Sequence, residues 1–323
     1  MTFEADRRWI TRAIACALAG AAIPIDPMGR SAEAAPASLD LPLKEIADGV
    51  HCFAGRHELM TKDNEGAICN LGVIIGEDAV AAVDSGGSII EAHALMAAIK
   101  KITDKPIRYV FNTHMHPDHV FGNAAFRDIG ATIVGHKNLP AALAARNEFY
   151  LQRFGALMGA DAMKGVEIVA PSLLVEDQLA LDLGGRKLNL RAWQPAHTDN
   201  DLTVLDTASG TLFAGDLVFL QHLPTIDGSL LGWLRQMDEL KAIGARQVVP
   251  GHGEVGSPWP DALSAQRQYF EALARDLRKS IAEGLPLSEA VKTAAQSEKD
   301  NWQLFGEYNE RNATAAFAEL EWE

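Results

Sequence analysis

The stretch FNTHMHPDHVFGN sets three histidines and an aspartate within residues 114 to 119, directly after the apolar run IRYVF. A β-rich run of that length reads as a strand, so the histidines fall on the loop at its C-terminal end. In extended or loop backbone, residues two apart project to the same side. His114 and His116 can therefore grip one ion, while Asp118 and His119 face a second. Two cations so close need anionic as well as imidazole ligands to offset their charge. The fold must bring other side chains to the same strand end.

The order of periodic segments shows how it can. Strand-like runs come first: GVHCFAG, AICNLGVIIG and AVAAVDSGG, the last two separated by Gly76, Glu77 and Asp78. A helical stretch follows, SIIEAHALMAAIKKI, with Leu95, Ile99 and Ile102 on one face and lysines at its end. After the histidine motif, ATIVGH reads as a strand and KNLPAALAARNEFYLQRFGALMGA as helical. A second group of strands begins near residue 167 with EIVAPSLLV, QLALDLGGRKLNLRAW, DLTVLDTASGTLFAGDLVF and QVVPGHG, joined by hairpin-type turns. The expectation is an α/β protein of the αββα sandwich type, with two packed mixed β-sheets flanked by helices and a catalytic domain over residues 40–257. From residue 258 the pattern turns helical. Phe270, Leu273, Leu277 and Ile281 mark one face, ended by Gly284, and NATAAFAELEWE reads as another helix. Residues 258–323 are expected to form a helical extension packed on the core.

With 48% hydrophobic residues in 323 positions, a large core can be filled. Lys and Arg total 29 against 43 Asp and Glu, a net charge of −14 that argues against nucleic acid or anionic lipid as partner. No apolar stretch reaches the roughly 18 residues of a membrane span. Residues 1–35 differ from the rest: Arg7, Arg8 and Arg12 precede a short Ala-rich apolar run, and small residues around Ala32 and Ala34 follow at cleavage-site spacing. This is the layout of an export signal, cut after Ala34 or Ala35, and its adjacent arginines resemble the twin-arginine type. A periplasmic location is the expectation. Cys16 falls inside that signal; for Cys52 and Cys69 a disulfide and two free thiols are both open, and neither has metal-ligand spacing.

Three more candidates stand farther along: His197 in PAHTDND, Asp216 in LFAGDL and His252 in VVPGHGE, each placed at a strand end. Strand ends converge on one edge of a sandwich, so seven residues far apart in sequence can meet. The ordered set of H-x-H-x-D-H, an isolated His, G-D and G-H resembles the metallo-β-lactamase superfamily over residues 45 to 256. The resemblance implies that His114, His116 and His197 bind one zinc, that Asp118, His119 and His252 bind another, and that Asp216 bridges them. Asp84 in AAVDSGG fits the family's acidic residue that supports the metal-bearing loop. Where the commonest β-lactamases of the superfamily carry a Cys, this chain has Asp216, as glyoxalase II, lactonases and related ester and thioester hydrolases do. The stretches HELMTKDNEGAICNLGVIIG, TDKPIRYVFNTHMHPDHVFGNAAF, AHTDNDLTVLD and NATAAFAELEWE are further similar to exported zinc metallohydrolases associated with quinoprotein relay and sulfur-oxidation gene clusters.

Together these imply a binuclear hydrolase of a small-molecule ester, thioester or lactone, with Asp118 as proton carrier. Zinc suits the ligands best, and Fe or Mn also fit them. Three other readings stay open: β-lactam hydrolysis, a mononuclear-iron persulfide dioxygenase, and a binding or relay accessory to periplasmic redox or sulfur-metabolism partners. Asn200 is a candidate substrate contact, with turn hydrogen bonding as its simpler role. The extension after residue 258 can also wall the substrate cleft, and His222 and Trp233 can line it. His136 reads as structural, and His51, His57 and His93 have no ligand spacing.

Overall fold

The computed structural model describes residues 39–323, so the expected export signal lies outside the described residues. Seven strands form a first sheet in chain order: β1 (Lys44–Ala47), β2 (Val50–Phe53), β3 (Leu71–Ile75), β4 (Val80–Val83), β5 (Ile107–Phe111), β6 (Thr132–His136) and β7 (Leu173–Val175). The first four make an antiparallel meander, and β4 to β7 run parallel. Short turns join β1 to β2 and β3 to β4, and a longer loop, 54–70, joins β2 to β3, whereas parallel neighbours need crossovers. Those crossovers are α1 (Ile89–Ile102), the short α2 (Pro117–Val120) and α3 (Asn123–Asp128), and α4 (Leu139–Ala162), which is broken near its end at Gly159. α1 starts where the Ser88 hydroxyl accepts the Glu91 N–H at 3.1 Å, and Glu91 reaches back to the Gly87 N–H at 2.7 Å.

β8 (Gln178–Asp182), β9 (Lys187–Ala192), β10 (Leu202–Asp206), β11 (Thr211–Phe219), β12 (Gln247–His252) and β13 (Ser257–Pro258) form the second sheet in reverse order. Only β11 and β12 are parallel, linked through α5 (Leu230–Lys241), a helix the sequence reading did not resolve. One expectation is corrected. Residues 167 to 175 read as opening the second group of strands, but only Leu173–Val175 is extended, and it joins the first sheet beside β6. Pro171 has no N–H to give a ladder, which keeps the strand short.

The sheets pack face to face, Val50, Ile74, Phe111 and Val134 meeting Leu190, Val204, Phe213 and Val249. Outside the first sheet, Leu95, Ile99 and Phe126 cover Val73 and Val110. Outside the second, Trp233 of α5 joins Phe270 of α6 (Ser264–Ala282), Val291 of α7 (Leu287–Thr293) and Phe317 of α8 (Phe305–Leu320) over Leu212 and Val248. The order is helix, sheet, sheet, helix. Both faces of β4 and β11 are covered, which is why their residues are buried without alternation. α8 is tied to α5 by Glu319, whose carboxylate accepts the Leu230 N–H at 2.8 Å at the positive end of that helix. Cys52 and Cys69 are both buried free thiols: Cys52 faces Gly72 across β2 and β3, while Cys69 precedes β3 and donates to the Asp118 carbonyl at 2.9 Å.

Candidate metal centre

Backbone geometry splits the histidine motif into two sets. Thr113 to His116 continue out of β5, and His116 is still extended, with φ −68° and ψ 147°. Pro117 then fixes the first position of α2, so Asp118 and His119 turn helically to another side. His197 comes from the loop before β10, and His252 ends β12. Asp216 differs from expectation: it lies within β11, not at its end, where the pairing with β12 shifts register around Gly215. Two glycines make this placement feasible. Gly215 has φ +52°, and a Cβ there would come 2.5 Å from the Thr113 Cβ; a Cβ on Gly251 would collide with the Asp216 carboxylate. The glycines of the G-D and G-H motifs therefore make room for the ligands beside them.

All seven expected ligands converge. His114, His116, His197 and Asp216 form one group and His119, Asp216 and His252 another, with ligand atoms within 4.8 Å of one another. His116 Nδ1 lies 3.0 Å from both His114 Nε2 and His197 Nε2. Asp216 faces both ways. Its Oδ2 is 3.6 Å from His114 Nε2 and 3.3 Å from His197 Nε2, while its Oδ1 is 3.3 Å from His119 Nε2 and 3.6 Å from His252 Nε2. Asp118 Oδ2 completes the second group at 3.4 Å from His119 and 3.2 Å from His252. Cys69, which had no ligand spacing in sequence, also falls near Asp118 and His119.

The outer ring nitrogens show which atoms are left to bind. His197 Nδ1 donates to the Thr225 carbonyl at 2.7 Å and His252 Nδ1 to the Ile68 carbonyl at 3.1 Å. His119 Nδ1 donates to Asp84 at 2.8 Å, and His116 Nε2 to Asp227 at 3.0 Å. Thr113 gives its single proton to Asp84 at 2.9 Å, so its oxygen accepts from His114 Nδ1 at 3.0 Å. Each imidazole thus keeps a lone pair on its inward nitrogen. Five lone pairs and two carboxylates facing one small volume repel unless a cation lies among them. Among the described residues, His119 Nε2 and Asp216 Oδ1 are buried and make no hydrogen bond, with other ligand atoms no nearer than 3.3 Å, and a buried polar atom left so costs about 1–3 kcal/mol. Tetrahedral ions at about 2.0–2.1 Å from each nitrogen set neighbouring ligand atoms roughly 3.3 Å apart, close to the spacings found. The donor set fits two divalent cations.

The protonation states agree. Burial pushes the His197 imidazole down to about 3 and His114 well below its ordinary value, keeping both neutral. Burial also opposes charge on His119, but the carboxylates of Asp118, Asp84 and Asp216 outweigh it and draw positive charge to the second group, which either a proton or a cation can supply. For Asp216 burial pushes up, yet the imidazoles of His252, His119 and His197 hold it below the carboxylate range.

Asp84 lies against the histidine loop and accepts from the His119 ring and the Thr113 hydroxyl. It sits in the left-handed region at φ +62°, where Asp is tolerated better than most residues, and it also accepts the Thr113 N–H at 2.8 Å. Asn200 does not reach the cleft: it is buried and donates to Asp199 at 2.8 Å. Trp233 is fully buried beneath His197, ring centroids 5.4 Å apart. His222, by contrast, lines the cleft and stacks on His252 at 4.9 Å. His136 is buried and accepts the Asn138 N–H at 3.0 Å, a structural role.

The sequence reading missed several residues. Asp227 has no motif around it, and Asp201 takes two hydrogen bonds from Thr198 to fix the His197 loop. Asn312 of α8 accepts the Ile226 N–H at 2.9 Å and donates to the Pro224 carbonyl at 2.6 Å, clamping the segment whose Thr225 holds His197. The cleft above the cage has a volume of about 750 Å³. Its walls include Arg146, Tyr150 and Arg153 of α4 and Tyr308 and Arg311 of α8, and helical spacing along α4 was the one signal available for the first three.

The four-layer sandwich thus carries a His/Asp cage suited to metal ions at one edge. Residues 65–252 match the family model described as the metallo-beta-lactamase superfamily. The chain belongs to that superfamily. Among curated proteins it is 23% identical to a linear primary-alkylsulfatase of Pseudomonas sp. (strain ATCC 19151) over 235 residues, 62% of this chain and 43% of that one. It is 26% identical to a beta-lactamase-like protein 2 homolog of Caenorhabditis elegans over 174 residues, 54% of this chain and 52% of that one. The chain thus spans about half the length of the curated relatives it matches. Of solved structures, a metallo-beta-lactamase from Pontibacter korlensis superposes with TM-score 0.58 at 21% identity, covering 72% of this chain and 99% of that one. A stereoselective inverting sec-alkylsulfatase from Pseudomonas sp. superposes with TM-score 0.67 at 16% identity, covering 86% of this chain and 50% of that one.

Proposed function

We propose that this protein is an exported binuclear zinc hydrolase acting on an ester, thioester or lactone-like carbonyl. The observation that carries the reading is Asp216, whose two oxygens face two separate ligand sets. Bound there, two divalent cations lower the pKa of a water toward neutrality and polarise a carbonyl oxygen. The chain's own residues do the rest. Asp118 borders the cleft, beside the second set, where it can hold the attacking water by a hydrogen bond and carry its proton to the leaving group. Asp84 and Asp227 fix the rings of His119 and His116. Residues 40–257 act as the catalytic domain, and 258–323 as an extension that also walls the cleft.

The similarity of several stretches to zinc metallohydrolases of quinoprotein relay and sulfur-oxidation clusters, with Arg7 and Arg8 near the N-terminus, supports a periplasmic enzyme with redox or sulfur-metabolism partners. Sulfate-ester hydrolysis is a second reading, favoured by three arginines in the cleft and by what the Pseudomonas relative's name says of that protein. Metal quantification on the purified chain, with a panel of lactone, thioester, ester, alkyl sulfate and β-lactam substrates, tests the proposal. Near two equivalents of zinc and carbonyl hydrolysis are expected. One iron with oxygen consumption on a persulfide would remove it.

A further inference from the structure

Outside the candidate ligands, the cleft of this acidic chain is lined by three arginines against two acids. The net charge is −14, yet Arg146, Arg153 and Arg311 share an opening with the metal ligands. Arg146 Nη2 lies 3.1 Å from Asp227 Oδ2 and Arg311 Nη2 4.0 Å from Asp227 Oδ1. Since Asp227 also accepts from His116, these guanidiniums stand one side chain out from the first ligand set. Arg153 makes no ion pair among the described residues, and Glu307 is the remaining acid at the opening. Asp227 thus serves two guanidiniums and an imidazole at once, so cationic donors are in excess.

The same opening is apolar along one side. Leu59, Phe149 and Leu157 line it with 46%, 58% and 44% of their surface exposed. Positions 146, 149, 153 and 157 share one face of α4, so arginines and apolar groups are interleaved there. An exposed apolar patch beside a polar site marks a surface that is covered in use, and the planar fork of Arg suits carboxylate or sulfate.

We infer that the substrate is an amphiphilic anion, with a permanent negative charge close to the scissile bond held by Arg146, Arg153 and Arg311, and an apolar chain lying along Leu59, Phe149 and Leu157. The inference rests on the hydrolytic reading above and narrows its substrate class. With a thioester, water adds and the products are a carboxylic acid and a thiol.

Three thioesters and one sulfate ester test it on the metal-loaded full chain. S-octanoylthioglycolate carries charge and tail, its amide (S-octanoylthioglycolamide) lacks the charge, S-acetylthioglycolate lacks the tail, and octyl sulfate carries its charge in the scissile group. The expected kcat/KM for the first exceeds that of the second and the third by about tenfold or more, and the acid-to-amide ratio falls toward one in Arg153→Gln and Arg311→Gln. Equal rates for acid and amide, or a ratio that neither substitution moves, overturns the inference and leaves carbonyl hydrolysis standing. Turnover of octyl sulfate alone, with the same arginine dependence, upholds the amphiphilic anion and removes the carbonyl reading. If none of the four turns over, calorimetric titration with S-octylthioglycolate, a thioether that cannot be hydrolysed, decides. Binding about tenfold tighter than its amide, and lost in Arg153→Gln, upholds the inference, whereas equal binding ends it.

Discussion

The metal cage and the cleft above it are built by different rules. Cage side chains come from four separate places in the chain and are mostly buried, and each imidazole is held by a second residue. The cleft arginines come from two helices, are at least a third exposed, and each have at most one carboxylate partner among the described residues. Chemistry at a metal tolerates little movement, so its parts are over-determined by hydrogen bonds. Recognition of a small molecule can rest on side chains that remain free to adjust.

That contrast sets the expected sizes of effect. Asp118→Ala should have the largest, about 10²–10⁴-fold in kcat with the fold intact by circular dichroism; full retained activity would remove Asp118 from the mechanism. Asp216→Ala should bring metal content from two equivalents toward one, read by elemental analysis, and unchanged stoichiometry would mean that its two oxygens do not serve two ions. Asp84→Ala, which strips the partner from His119 and Thr113, should weaken metal binding by about 10–100-fold in a chelator competition. An equal loss in Arg153→Gln would erase the distinction between cage and cleft.

One further effect lies outside both regions and is read in stability alone. Burial pushes the Glu91 carboxyl from an ordinary 4.5 up to about 8. Between those values the folded protein keeps a proton that the unfolded chain has released, so stability falls as pH rises through this window. The difference is on the order of 5 kcal/mol, and Glu91→Gln should flatten denaturation midpoints measured from pH 5 to pH 8. An unaltered slope would assign the dependence to other groups.

Much of the cage was legible in the sequence because its ligands are His and Asp at fixed spacing, and each spacing answers to a local backbone. The i, i+2 pair His114 and His116 needs extended chain, and Pro117 starts the helical turn that redirects Asp118 and His119. Even Gly215 and Gly251, visible as motif letters, turn out to be steric requirements. The supports were not legible. Asp227, Thr225 and Asn312 act through contacts made only after distant segments pack, and Asn200 carries the right chemistry yet points elsewhere. The same limit applies to strand order, since three apolar residues at 173–175 cannot say which sheet they will join. Cleft residues on α4 were hidden for another reason: an arginine on a helix face looks the same in sequence whether it meets solvent or substrate.

The clamp of Asn312 on the Pro224–Ile226 segment has a consequence for the order in which this molecule can become complete. His114 to His119 are made well before α8, yet the segment that steers His197 is pinned by that later helix. Until α8 docks, with Glu319 seated on the start of α5, the first ligand set lacks its outer brace and the cleft lacks a wall. Contacts spanning that much chain form late and slowly. A lesion in α8, far from any candidate ligand in sequence, is therefore expected to loosen the brace on His197.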